Sequence, residues 1–345
     1  MYKKILLIFT ILFLSHLSAD AQLGSYAGGF ARMGFGARGL ALGNAMVSDI
    51  FGDVSGYYNP SLACFQEQGI LNFGYTAMTL DRRLNFVGFA RKFKIPKKEK
   101  GGAGITLSWI NSGVSDIDGR DNDAKQIGML STYENQFYLG TGFLLNENFA
   151  FGVGFKLYYA KLYDEVKSNS IAFDLGAIYK VRPDLSIGFA IRDIAARYKW
   201  ETSKLYGNEY GTTTENKFPV LADIGATYLL PKNFGTVSLE FETLFNPRFE
   251  TKDTVGIVTK SDRTYNYIIK LGTELKLTEQ LKIRAGVDRM DLKADDFWGN
   301  IKPGLGVGFY KVFTKDVTLG LDYSFQLEPF THEPIHNIGI GFKFK

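Results

Sequence analysis

From residue 69 onward one pattern governs the chain: runs of about 9 to 15 residues with apolar and aromatic side chains on one parity, glycine and polar side chains on the other. Such alternation makes a strand whose two faces meet different surroundings. The runs fall near 69–79, 84–94, 102–112, 135–145, 149–163, 169–181, 185–193, 218–230, 234–245, 265–277, 281–289, 303–313, 317–327 and 335–345. A single run says little, because amphipathic strands also build soluble sandwiches; the spacing between runs says more.

The connectors sort by length. Asn146-Glu147-Asn148, Arg182-Pro183-Asp184, Pro231-Lys232-Asn233, Thr278-Glu279-Gln280 and Thr314-Lys315-Asp316 suit tight turns. Between them lie long polar connectors near 113–134, 194–217, 246–264 and 290–302. Short turns on one edge and long loops on the other are the asymmetry of bacterial outer-membrane barrels, whose short edge is periplasmic. The predicted fold class is therefore all-β, a transmembrane antiparallel β-barrel of about 14 strands spanning 69–345. An even strand count predicts a cell outer-membrane protein with both termini periplasmic and outer-membrane lipid around it.

The two faces agree with this reading. Phe149, Phe151, Val153, Phe155, Leu157, Tyr159 and Tyr163 share one parity, and Gly152, Gly154, Lys156 and Tyr158 the other. By the same rule Asp174, Arg192, Asp223, Glu240, Glu242, Lys270, Glu274, Lys282, Arg284, Asp288 and Asp322 are predicted to face the lumen. A basic side chain in mid-membrane on the lipid face costs about 2–4 kcal/mol, so a bilayer enforces such sorting. Arg91 departs from it, near the periplasmic end of its strand, where a long side chain can snorkel. Tyr163, Tyr179, Phe218, Phe245, Tyr265, Phe313 and Phe325, near run ends, suit aromatic girdles, although packing in a soluble sheet reads alike. The closing residues, with Gly339, Phe342 and Phe344 in the last strand, resemble the signal by which barrels are recognised by their assembly machinery.

Composition fits many aromatic-faced strands: 29 Phe, 19 Tyr and 38 Gly against 9 Pro. Mean hydropathy is −0.07, and after residue 21 no segment approaches about 18 uncharged apolar residues, which argues against a helical membrane protein. The net charge of +4 is spread out, so nucleic acid is not an expected partner. Cys64 has no second cysteine to pair with and reads as a small buried apolar side chain.

At the other end, residues 1–21 combine Lys3 and Lys4, an apolar run from Ile5 to Leu17, and Ala19-Asp20-Ala21, a secretory signal cut before Gln22. Residues 22–68 follow, rich in Gly and Ala and without strand alternation. A barrel of this size leaves a lumen that side chains alone do not fill, so this segment is predicted to be its plug. Glycines in this segment are no nucleotide loop, because no βαβ unit surrounds them.

Gly36-Ala37-Arg38-Gly39, followed by Tyr58-Asn59-Pro60-Ser61-Leu62-Ala63, resembles the N-terminal signature of the PorV/PorQ family, relatives of the FadL-type channels. Gly188-Phe189-Ala190-Ile191-Arg192-Asp193, Leu271-Gly272-Thr273-Glu274, Ile283-Arg284-Ala285-Gly286 and Leu321-Asp322-Tyr323 extend the likeness. Ser61-Leu62 stands where that signature usually has Ala-Gly. The resemblance implies a fourteen-stranded plugged barrel. For function it implies a component of, or cargo shuttle for, the type IX secretion system, with secretion proteins and exported cargo as partners. The alternative is a FadL-like passive channel for hydrophobic small molecules. A greasy pocket beneath the long loops would favour the channel.

Catalysis and metals have weaker footing. His16 leaves with the signal, and no motif marks a nucleophile for His332 or His336, so the chain reads as no enzyme and without cofactor. The carboxylates of Asp116, Asp118, Asp121 and Asp123 miss the EF-hand spacing and read as a solvated loop rather than a metal site.

Overall fold

The computed structural model describes residues 26–53, 55–94, 101–248, 250–252, 258–260, 264–294, 297–328 and 333–345. The signal segment and His332 lie outside the described residues. Fourteen strands close one antiparallel barrel. They are β1 (Gly69–Ala77), β2 (Arg83–Lys94), β3 (Gly102–Arg120), β4 (Gln126–Leu144), β5 (Phe149–Lys161), β6 (Lys167–Arg182) and β7 (Leu185–Ile194). There follow β8 (Val220–Leu229), β9 (Gly235–Phe245), β10 (Tyr265–Lys276), β11 (Leu281–Asp291), β12 (Lys302–Val312), β13 (Val317–Leu327) and β14 (Pro334–Phe344). Each pairs with its chain neighbours, and β14 returns to β1 with Gly69 opposite Phe344 and Ala77 opposite His336. Closure leaves no strand edge unpaired in the wall, which a hydrocarbon surrounding requires.

The parity of the sequence becomes inside and outside. On β5, Gly152, Gly154, Lys156, Tyr158 and Ala160 are buried while Phe151, Val153 and Leu157 are exposed. Similar exposed rows of Phe, Leu, Ile and Val run along β6, β7, β9, β12 and β14. A water-soluble monomer rarely carries so large an apolar surface, whereas lipid solvates it without cost. No helix among the described residues is long and apolar enough to cross a membrane, so the crossing falls to the strands.

Two sequence expectations need correction here. The stretch 113–134, read as a loop, continues β3 and β4 as a hairpin, paired from Val114 opposite Thr132 to Arg120 opposite Gln126, with two register shifts. Pairing of β3 with β2 stops at Gly113, and of β4 with β5 at Tyr133, so among the described residues this hairpin projects alone beyond the wall. Both of its faces meet water, which removes the alternation that betrays a wall strand. Likewise 194–217 holds a small hairpin, Arg197–Glu201 with Thr213–Lys217, and a short helix, Ser203–Tyr210.

The two ends of the described chain lie differently. Gly69 and Phe344 do share the short-turn end. The first described residues do not: Gly28 packs on the ring of Phe218, just before β8 at the long-loop end. Strand parity counts crossings of the wall only. The segment before β1 makes a further passage through the lumen, and so its first described residues lie at the opposite mouth.

Along that passage the chain forms a 3-10 turn at Gly29–Arg32, the helix Gly36–Ala41, and a 3-10 turn at Pro60–Phe65 capped by Asn59, whose side chain accepts from the Ser61 amide. The helix contacts β11, β12, β13, β14 and β1, and the second 3-10 turn contacts β2 to β6. The described residues between 26 and 66 thus run from the long-loop mouth to the short-turn mouth through the barrel.

Candidate functional site: the plugged lumen

Three groups of charged side chains line the lumen. In the first, Arg192 donates to Asp223 at 2.9 Å and to Glu242 at 3.0 Å, while Lys270 reaches Glu240 at 2.9 Å and Glu242 at 2.7 Å. Glu240 also accepts the plug amide of Val47 at 2.8 Å. Asp223, Glu240 and Glu242 crowd closely enough to hold a metal ion, but the Lys270 ammonium stands among them, and it lies 3.7 Å from Asp223. The cation's place is filled by the protein itself.

The second group joins plug to wall. Arg38 donates to Asp49 of the plug at 2.6 Å and to Glu274 of β10 at 2.9 Å. Glu274 also accepts from Arg284 at 2.7 Å and Lys282 at 3.1 Å. Arg284 continues to Asp322 at 2.5 Å and to the Tyr310 hydroxyl at 2.7 Å. Lys343 closes the circuit on Asp53 of the plug at 2.5 Å. Asp288, by contrast, meets no Lys or Arg ion pair among the described residues; it accepts from the plug amide of Asn44 at 2.8 Å.

In the third group Lys156 bridges Asp174 at 2.9 Å and Asp193 at 2.8 Å, and the Tyr158 hydroxyl donates to Asp193 at 2.6 Å. Charges this deep are tolerable only when paired and hydrogen-bonded. The structure therefore brings together Lys156 with Asp174, Arg192 and Lys270 with the three acids of β8 and β9, and Glu274 with Arg284 and Asp322. Asp49, Asp53, Asp193, Asn44, Tyr310 and Lys343 were missed. Parity could have supplied Tyr310 and Lys343, which share the inward set of their strands.

Between the charges the wall presents bare glycines. Methyl groups placed on Gly104, Gly152, Gly188, Gly272 and Gly286 would lie 2.3–2.5 Å from main-chain atoms of Ala63, Ser61, Val47, Leu42 and Gly43. These glycines stand beside one another across strands, as Gly142 opposite Gly152, Gly152 opposite Gly176, and Gly272 opposite Gly286. Only a wall without side chains lets the plug backbone come this close. The plug motif sits within this arrangement: Gly36 at φ +77° starts the helix, Ala37 is buried, and Asn59 donates to the carbonyls of Val47, Ala177 and Phe189. Pro60 occupies the first position of its 3-10 turn, where no amide is needed.

At the long-loop mouth the surroundings turn aromatic. Tyr158, Tyr198 and Phe218 form an edge-to-face trio, with 4.9 Å between the Phe218 centroid and each tyrosine. Phe30 of the plug meets Tyr158 at 6.3 Å and 90°. Phe218 therefore faces the lumen rather than a lipid girdle, because it precedes β8 and escapes the parity of that strand.

The remaining candidates lie apart. Gly339 backs the plug at Ala37, while Phe342 and Phe344 point outward at the closing seam. His336 is exposed on β14, its Nδ1 2.8 Å from the Tyr323 hydroxyl. On the projecting hairpin, Asp118 pairs with Arg120 at 2.7 Å, and Asp121 accepts the amides of Asp123 and Lys125. Those carboxylates shape a turn.

Together these features define a fourteen-stranded transmembrane barrel with a segment of its own chain folded through the lumen. No protein-family model and no curated protein matches the sequence. Solved structures are more informative: the Pseudomonas putida toluene transporter TodX is 12% identical, with TM-score 0.59 over 90% of this chain and 98% of that one. The Ralstonia pickettii toluene transporter TbuX gives the same identity, TM-score and coverages. A Pseudomonas aeruginosa FadL homologue is 11% identical, TM-score 0.57, over 90% and 98%. At these identities the likeness is one of fold, and the fold is FadL-like.

Proposed function

We propose that this chain is an outer-membrane channel for hydrophobic small molecules, which enter at the long-loop mouth. The observation that carries this reading is the aromatic trio of Tyr158, Tyr198 and Phe218, closed by Phe30 of the plug. Such rings attract apolar molecules from water, and a plug side chain is what an arriving molecule would displace. The toluene transporters of the same fold add support. The plug backbone on its glycine wall leaves the lumen sealed at that level, so passage requires the plug to yield. Cells producing the protein should take up labelled p-xylene faster than cells without it, and Phe30→Ala should alter the rate. Equal uptake in the presence and absence of the protein would remove this reading.

A second reading, a PorV/PorQ-type role in type IX secretion, draws on the projecting hairpin. Ile127 and Met129 are exposed there, and among the described residues both hairpin edges beyond Gly113 and Tyr133 lack a neighbouring strand. Free edges and exposed apolar side chains suit docking of another protein. Secretion components should then copurify with the intact protein and be lost on deleting 114–132. Copurification that survives the deletion would count against the hairpin as the docking element.

A further inference from the structure

One patch of the inner wall differs from the rest. Thr106 and Ser108 of β3 and Gln136 and Tyr138 of β4 are neighbours on the inward face, with Ser108 directly opposite Tyr138 and Ile110 opposite Gln136. All four are at least nine-tenths buried. Among the described residues, neither hydroxyl of β3, neither end of the Gln136 amide, nor the Tyr138 hydroxyl has a hydrogen-bond partner. Other orphan atoms in the lumen belong mainly to side chains bonded through a second atom, such as Gln326 and Asn337, or stand singly, such as Ser324. Here four whole side chains are bare, side by side.

The plug's hydrogen-bonded attachments lie elsewhere: Asn59 and Ser48 bond to β6, β7 and β8. Glu240, Glu274, Asp288 and Lys343, on β9, β10, β11 and β14, grip it with charged or hydrogen-bonding contacts. Opposite Thr106 and Ser108 it presents surface without such contacts: Gly56 faces Thr106, and the Phe35 ring, stacked on Tyr57 at 5.5 Å, faces Gly88 beside Ser108. The interface is amphipathic, aromatic on the plug and hydrogen-bonding on the wall. Polar groups held away from water require partners, and this patch has donors and acceptors together.

The geometry points to a ligand subsite. This patch receives the polar end of an uncharged amphiphile, an alcohol, phenol or amide, whose apolar body lies against Phe35 and Tyr57. An uncharged group is specified because Lys156, whose ammonium lies 5.9 Å from the Tyr138 ring centroid, is already neutralised by Asp174 and Asp193. A carboxylate would bring an unpaired charge into the lumen. This inference rests on the channel reading and adds that, among its substrates, molecules with one hydrogen-bonding end are held best.

The test uses p-cresol and p-xylene, which differ by a hydroxyl in place of a methyl. Binding to the full protein in phospholipid nanodiscs is measured against partition into protein-free discs. The wild type should hold p-cresol about tenfold more tightly than p-xylene, and Thr106→Val, Gln136→Leu and Tyr138→Phe should each cut that ratio roughly two- to tenfold. The ratio is its own control for folding, since a misfolded variant loses both ligands, and the wild-type ratio then decides. A ratio near one in the wild type, or one unmoved in folded variants, would mean that ordered water alone fills the patch. If p-xylene crosses but the ratio is near one, only the subsite falls; if neither compound binds or crosses, the channel reading falls with it.

Discussion

The guanidinium of Arg38 in the plug lies 2.9 Å from the carboxylate of Glu274 in the wall, across 236 residues of sequence. Both are buried, and Arg38 also neutralises Asp49. Removing one member of such a group leaves the others charged and bare, at a cost of about 3–5 kcal/mol. Arg38→Met should therefore loosen the plug by that order while the strands stay paired. Cys64, buried in the plug, reports the event: burial pushes its thiol up to about 12, leaving almost no thiolate at pH 8. Maleimide labelling of Cys64 should be negligible in the wild type and rapid in the variant. Equal rates would show that the plug is held by other means.

The glycine wall makes a separate prediction. A side chain at Gly286 must invade the backbone of Leu42 and Gly43, only 2.3 Å from its first carbon. Gly286→Val should destabilise the plugged state by about 1–3 kcal/mol or more. Gly29→Ala is the control, because nothing lies within 4 Å of the added methyl. Thermal unfolding of both variants in detergent checks the contrast.

Acid should weaken one attachment of the plug. Burial opposes ionisation of Asp53, but Lys343 and then Lys282 outweigh it and hold the carboxyl below its ordinary range. A carboxyl depressed by folding adds stability above its unfolded value, about 3.9, and loses that contribution as pH falls through the lower folded value. Protection of the 49–53 strap from protease should decline below about pH 4. Asp53→Asn should flatten that decline and weaken protection at neutral pH.

The closing seam carries its own contact. Arg91, on the outer face, has its guanidinium 5.8 Å from the centroid of Phe344, and Phe344 stacks on Phe89 at 6.3 Å. The contact ties β2 to the last strand, across β1. Phe344→Ala should cost about 1–2 kcal/mol from the lost cation–π and aromatic contacts, and should lower the yield of heat-modifiable barrel on gels.

How much of this could be read in advance follows from what is local. The runs from Gly69 to Phe344 declared the wall because each strand must alternate between two media, a demand that every pair of residues records. Their charges declared the lumen for the same reason. The hairpin beyond Gly113 was not legible, since a ribbon wet on both sides has no parity to display. Nor was the course of the plug: Asn44 finds Asp288 and Arg38 finds Glu274 through partners hundreds of residues away, and nothing periodic announces them. The glycines of the wall were visible, but their common level appears only once the strands are placed in register. Whether the orphaned side chains at Thr106, Ser108, Gln136 and Tyr138 matter was equally hidden, because any inward position of a strand admits polar residues.

A barrel pared to bare backbone where its insert presses has no teeth of its own at that height. With the insert gone, the bore there would be smooth and wide, open to large and small solutes alike. Discrimination among solutes therefore belongs to the insert and its immediate neighbours, and variants that eject it should leak indiscriminately instead of acquiring a new preference.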